Sequence, residues 1–133
     1  MTNSFRKLTL VKVKIPKIKT LNKDIQIFSK SLGLFNLRDK ERSCFRLFVE
    51  LLKATRKDNP ISSDELAYKL NLTRGTVIHH LNKLIDAGMA ISRRNKYILR
   101  KKDLGSLIDS LNNDINEAFD ELRKIAEDID KKL

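Results

Sequence analysis

Two helix-start signals, at Ser62 and Thr73, constrain this chain more than any other feature. Ser62 stands three residues before Glu65, the spacing at which a hydroxyl accepts from the third amide of a helix and the carboxylate reaches back. Ile61 and Leu66 occupy the positions of a hydrophobic staple. The helix so begun buries Leu66, Ala67 and Leu70 and lasts about two turns before breaking at Asn71-Leu72. Thr73 then caps a second helix, with Leu72 and Val77 as its staple. That helix, 73–87, carries a buried stripe at Val77, Leu81, Leu84 and Ile85, the spacing of a 3.6-residue period. Its other face holds Arg74, Thr76, His79 and Lys83, short or cationic hydrogen-bonding groups. Gly88 ends it as a left-handed terminator. Two short, separately capped helices with a three-residue joint form a helix-turn-helix, and the polar face of the second suits the major groove of DNA.

Two short strands follow, Met89–Ser92 and Lys96–Leu99, joined by a turn at Arg93-Arg94-Asn95. The spacing Ser62-x-x-Glu65-Leu66-Ala67-x-x-Leu70-x-Leu72-Thr73-x-x-Thr76-Val77-x-x-His80-Leu81-x-x-Leu84-x-x-Ala87-Gly88, with a basic hairpin after it, resembles winged helix-turn-helix transcription regulators of the ArsR/MarR-like set of bacteria and archaea. The resemblance spans about residues 40–100. It implies a mainly α fold with a β-hairpin wing (89–100) and a recognition helix (73–87) in the major groove. Carried over position by position, it assigns groove contacts to Thr73, Arg74, Gly75, Thr76, Ile78 and His79. It sets Arg93, Arg94 and Lys96 along phosphates or in the adjacent minor groove. The chain departs from the pattern in lacking the Cys-x-Cys or His/Asp sets of metal-sensing members. Ile78 also replaces a small polar residue, which points to an apolar contact with a thymine methyl. Lys83 joins the wing as an expected phosphate contact.

Charge is distributed to match. Residues 1–102 hold 24 Lys/Arg against 8 Asp/Glu, while residues 103–133 hold 4 against 9, giving the net +11 of the whole chain. A body with so large a basic excess fits a polyanionic partner, and the acidic end fits another one. Before Asp24 every charge is positive. Residues 5–19 alternate apolar and basic from Val11 onward, which predicts a strand limited by Pro16. Its lysines serve either as a basic arm on the DNA backbone or as guards of a sheet edge. Thr20–Ser31 predicts a short helix with Leu21, Ile25 and Phe28 on one face and Gly33 as its stop. After a linker at Asn36-Leu37-Arg38, a stronger helix is expected from about Asp39 to Arg56. It would bury Cys44, Phe45, Phe48, Leu51, Leu52 and Thr55, and leave Arg42, Arg46 and Glu50 wet.

The final stretch divides the chain into a basic N-terminal part (1–37), a winged domain (38–102) and a helix (103–133). In that helix Leu104, Ile108, Leu111, Ile115, Ala118, Leu122, Ile125 and Ile129 recur four and three apart, with Leu107, Phe119 and Ala126 widening the stripe. About thirty residues at 1.5 Å rise span roughly 45 Å, too long to bury against a body of this size. Dimerisation, parallel or by antiparallel exchange, is the favoured reading. The other is docking over the chain's own Leu21–Phe35. The acidic flank, including Asp109, Asp114, Glu117 and Asp120, should face away from DNA.

Other chemistry finds little support. A single cysteine, Cys44, excludes an intramolecular disulfide and a multi-cysteine zinc site. His79 and His80, adjacent on a helix, point about 100° apart and do not converge on one ion. No phosphate-binding glycine loop, dinucleotide fingerprint or Ser/His/Asp arrangement occurs, so neither enzyme activity nor a cofactor is expected. No run of 18 apolar residues is present, and a cytoplasmic, nucleoid-associated protein is expected. The leading functional expectation is a homodimeric, sequence-specific regulator on double-stranded DNA. The alternative is a winged-helix interaction subunit of transcription or chromosome machinery.

Overall fold

The computed structural model describes residues 5–35 and 42–133. Helix α1 (Leu21–Ser31) is capped by the Thr20 hydroxyl, which accepts from the Lys23 amide at 3.2 Å. Helix α2 (Ser43–Arg56) is followed by the two-residue strand β1 (Ile61–Ser62) and helix α3 (Ser63–Leu70). Helix α4 (Arg74–Asp86), strands β2 (Ala90–Arg93) and β3 (Lys96–Leu99), and the long helix α5 (Leu104–Lys132) complete the chain. The expected linker at 36–38 and the expected start of α2 at Asp39 lie outside the described residues.

The fold is mainly helical, with one small antiparallel sheet of order β1-β3-β2. Its core is built by Leu47, Phe48 and Leu51 of α2, Leu66 of α3, Val77, Leu81 and Leu84 of α4, Met89, and Leu107 and Leu111 of α5, all buried. Leu32 and Leu34 are buried in the same cluster, so the segment after α1 belongs to the core of the winged body. Thr55 ties α2 to the sheet. Its hydroxyl donates to the Leu51 carbonyl at 2.6 Å and accepts from the Leu99 amide at 3.0 Å.

Several expectations are corrected. Residues 11–19 form no strand: the stretch is extended, and its Val11 amide reaches only the Ser31 carbonyl, at 2.8 Å. The place beside β3 is taken by β1 instead, which pairs Ile61 with Tyr97 and Ser62 with Lys96. Leu10, Val11, Ile15 and Ile18 are left exposed. In α2 Leu47 is buried along with the expected Cys44, Phe48, Leu51 and Thr55, while Phe45 and Leu52 are only half-buried, because the stripe is rotated toward α3 and the sheet. Arg46 is not simply wet: it donates to the Leu70 carbonyl at 2.7 Å and satisfies the C-terminal end of α3. Leu21 is exposed rather than packed.

The long apolar stripe of α5 divides in two. Leu107 and Leu111 enter the chain's own core and Leu104 is half-buried, whereas residues 119–133 are all exposed. Asp114 does not belong to a solvated acidic flank. It is buried, and its carboxylate takes both Arg100 guanidinium nitrogens, at 2.6 and 3.3 Å. The Asp103 carboxylate caps α5 by accepting from the Ser106 amide at 2.9 Å. Hydrogen bonds from that amide and the Ser106 hydroxyl hold the carboxyl below its usual value of 3.8. The cap is therefore complete above pH 3.8 and is lost on acidification through the lower folded value.

Candidate nucleic-acid interface

The geometry of α4 follows from its two ends. At its start the Thr73 hydroxyl accepts from the Thr76 amide at 3.2 Å and lies 2.9 Å from the Thr76 hydroxyl. Asn71, in the left-handed conformation with φ 55°, closes α3 and turns the chain between the two helices. Ser62 caps α3 in the expected way, accepting from Glu65 at 3.1 Å, and it also pairs in the sheet. At the far end Gly88, with φ +78°, terminates α4, and an added Cβ would come within 3.3 Å of Phe5.

The expected site residues fall into two groups. Thr73, Arg74, Gly75 and His79 are exposed, Thr76 is half-buried, and Val77, Leu81 and Leu84 hold the opposite face in the core. Ile85, placed in the buried stripe by spacing, is only half-buried. Arg74 lies 3.6 Å from Asp64 of α3, with both side chains mostly in water. Such a surface pair is worth at most about 1 kcal/mol and yields readily to a stronger anion. A Cβ on Gly75 would meet nothing within 4 Å, so no packing demands glycine there. In the wing Arg93 pairs with Lys96, and Arg94 and Asn95 (φ 54° and 63°) form the two-residue turn. Two positive φ values match the right-handed twist of a tight hairpin. The turn is thus one residue shorter than expected, and Arg93 sits at the end of β2. All three cations at this tip are exposed.

Two residues depart from their expected role. Lys83 is half-buried and donates to the Gly33 carbonyl at 2.9 Å, which binds α4 to the segment after α1. Ile78 is half-buried and packs against the core instead of standing clear on the polar face. One residue was overlooked. Tyr68 is 89% exposed, and, four positions after Asp64, it shares the α3 face that meets Arg74. A single tyrosine on a polar helix gives no periodic signal. Its exposure is the clue.

Residues 49–92 match the family model described as bacterial regulatory protein, arsR family. Over these residues the chain carries an ArsR-like winged helix-turn-helix domain. The match runs from the middle of α2 through α3, α4 and most of β2, and so includes the exposed face of α4, while Arg93, Arg94 and Lys96 of the hairpin lie just beyond it. As an ArsR-like regulator the protein is a DNA-binding transcription factor. The N-terminal segment and α5 lie outside the matched residues. Searches of curated proteins and of solved structures gave no match. Among the described residues of this ArsR-like chain, no group of three or more His, Cys, Asp or Glu side chains is placed to hold a metal ion. No described helix is long and apolar enough to cross a membrane.

Proposed function

We propose that this ArsR-like protein binds double-stranded DNA sequence-specifically as a homodimer, each subunit laying α4 in a major groove. The observation that carries this reading is the division of α4, buried through Val77, Leu81 and Leu84 and bare at Thr73, Arg74, Gly75 and His79. Arg74, Thr76 and His79 supply base discrimination, with the Arg74 fork suited to the acceptor pair of guanine. Arg93, Arg94, Lys96 and the hydroxyl of Tyr68 supply phosphate contacts. Ile78 has only part of its side chain left for a thymine methyl. Lys83 is omitted from the contact set, because reaching DNA would break its bond to Gly33.

The dimer is supported by α5. Phe119, Leu122, Ile125 and Ile129 are between 51 and 63% exposed on one stripe, an apolar surface that a monomer rarely leaves open. A two-fold dimer then matches a pseudo-palindrome with half-sites about one helical turn apart.

Arg74→Ala is expected to reduce the preference for a selected site by 10–100-fold, the worth of roughly 1–3 kcal/mol for one bidentate base contact. The double substitution Arg93→Ala/Arg94→Ala should instead weaken selected and random duplexes alike and flatten the salt dependence of binding. Titrations of both duplexes at several salt concentrations separate the two. Equal losses on both sequences for both variants would remove the division of roles. A protein with no duplex affinity at low salt would favour an interaction subunit.

Gly75 offers a sharper discrimination. With open space around it, Gly75→Ala should stabilise the fold by roughly 0.5–1 kcal/mol, as expected for removing a helical glycine. If close backbone approach to DNA is its role, the same variant binds DNA at least tenfold more weakly. Thermal unfolding and a DNA titration on one sample read both. A stabilised variant with unchanged affinity assigns Gly75 no part in binding.

A further inference from the structure

Leu21, expected to pack and instead 77% exposed, borders a concavity of about 500 Å³. Its apolar lining comes from Leu21 and Ile25 of α1, Val49 and Leu52 of α2, and Leu104, the first residue of α5. Its polar lining is Lys53, Arg56 and Lys57, at the C-terminal end of α2. Residues three and four apart share one helix face, so three cations stand beside a continuous aliphatic surface. None of these residues belongs to α3, α4 or the hairpin, and the concavity is therefore separate from the residues assigned to DNA.

We infer that this concavity binds a small aliphatic carboxylate, its chain against the leucines, Ile25 and Val49, and its head group on Arg56 and Lys57. Size fits, since ligand sites typically hold about 300–1,000 Å³. Charge fits as well. Lys53 already has a partner in Glu50 at 3.2 Å, but neither Arg56 nor Lys57 lies in a salt bridge among the described residues. Asp103, which feels the Arg56 charge, is engaged by the Ser106 amide at 2.9 Å. Cations at the end of a helix also complement its dipole. That role needs no apolar surface beside them, and it leaves Leu21 in water. The lining holds no aromatic ring for a planar ligand to stack on, and a bare phosphate would leave the aliphatic surface wet.

The site borders the wing. Thr55, between Leu52 and Arg56, is buried, and its hydroxyl holds the Leu99 amide at the end of β3. Leu104 starts α5 soon after that strand. Filling the concavity therefore bears on α2 and α5 where each adjoins the hairpin, and the carboxylate acts as an effector of DNA binding. This consequence rests on the DNA-binding reading above, whereas the site itself does not. Leu104 and Phe119 are separated by about 22 Å along α5 at 1.5 Å rise per residue, so pairing through the distal helix leaves the concavity open.

The test is calorimetric titration of the full chain with decanoate below its micellar concentration. One decanoate per chain is expected. Octanoate, two methylenes shorter, should bind roughly tenfold more weakly, and decylammonium and acetate more weakly still. Arg56→Gln/Lys57→Gln should lower decanoate affinity at least tenfold. Leu21→Asp should do the same, and since an acid suits the first turn of α1, Tm without ligand should not fall. Absence of decanoate binding, equal binding of decylammonium, or wild-type affinity in both variants overturns the site. A DNA titration with and without decanoate then tests the effector role. Duplex affinity should change at least threefold for the wild type and not for Leu21→Asp. Equal affinities with decanoate bound overturn that role alone. A wild type that binds no duplex without decanoate, at low salt, overturns the DNA-binding reading and the effector role with it, while the calorimetric result for the site stands.

Discussion

Asp114→Ala is expected to cost about 3–5 kcal/mol of folding stability, the scale for removing one partner of a buried ion pair. The side chains of Arg100 and Asp114 are only 13% and 7% exposed. Without the carboxylate, the guanidinium keeps little more than a 3.4 Å contact with the Gly88 carbonyl. The pair joins three parts: Arg100 follows β3, Asp114 lies in α5, and Gly88 ends α4. Its loss should therefore loosen α5 from the winged body as well as lower stability. Urea unfolding followed by circular dichroism measures the effect. Replacing both members with apolar residues, Arg100→Met/Asp114→Leu, should recover most of the loss, because a buried pair contributes little over a well-packed apolar contact. A loss below about 1 kcal/mol for Asp114→Ala would mean that the pair behaves as a solvated surface pair.

Leu122→Glu is expected to convert the proposed dimer to a folded monomer. A two-fold interface receives each substitution twice. Withdrawing two leucines, each worth about 1.5–3 kcal/mol when fully buried, raises the dissociation constant by at least a hundredfold. Leu122 is 57% exposed within its own subunit, so Tm at low protein concentration should not change. Affinity for a two-half-site duplex should fall to that of a single half-site. Sedimentation equilibrium and DNA titration check the two effects, and an unaltered dimer would place the interface elsewhere.

The helix-turn-helix was legible because its determinants are local. Ser62 and Thr73 cap the next turn, Gly88 must be left-handed, and Val77, Leu81 and Leu84 repeat at helical spacing, so neighbours in sequence decided the outcome. Arg74, His79, Arg93 and Arg94 could be placed for the same reason. What was hidden depends on distant partners. Lys83 looked free on the polar face, but its ammonium meets the Gly33 carbonyl, 50 residues away. Asp114 looked like one more acid on a charged helix until Arg100 was brought to it by the sheet. The alternation after Val11 resembled a strand, but a strand needs a partner strand, and the Val11 amide meets the Ser31 carbonyl instead. Heptad spacing in α5 was read as one continuous interface. It cannot show that Leu107 and Leu111 serve the chain's own core while Leu122, Ile125 and Ile129 do not.

The central claim is that α4 reads sequence in the major groove, twice per dimer. The most direct measurement is selection of bound fragments from a random duplex library by the wild type and by Arg74→Ala. Two inverted half-sites centred about 10–10.5 base pairs apart should emerge for the wild type, and the Arg74→Ala pool should lose bases at one position of each half-site. Enrichment of no motif by the wild type, or of the same motif by both proteins, would contradict it.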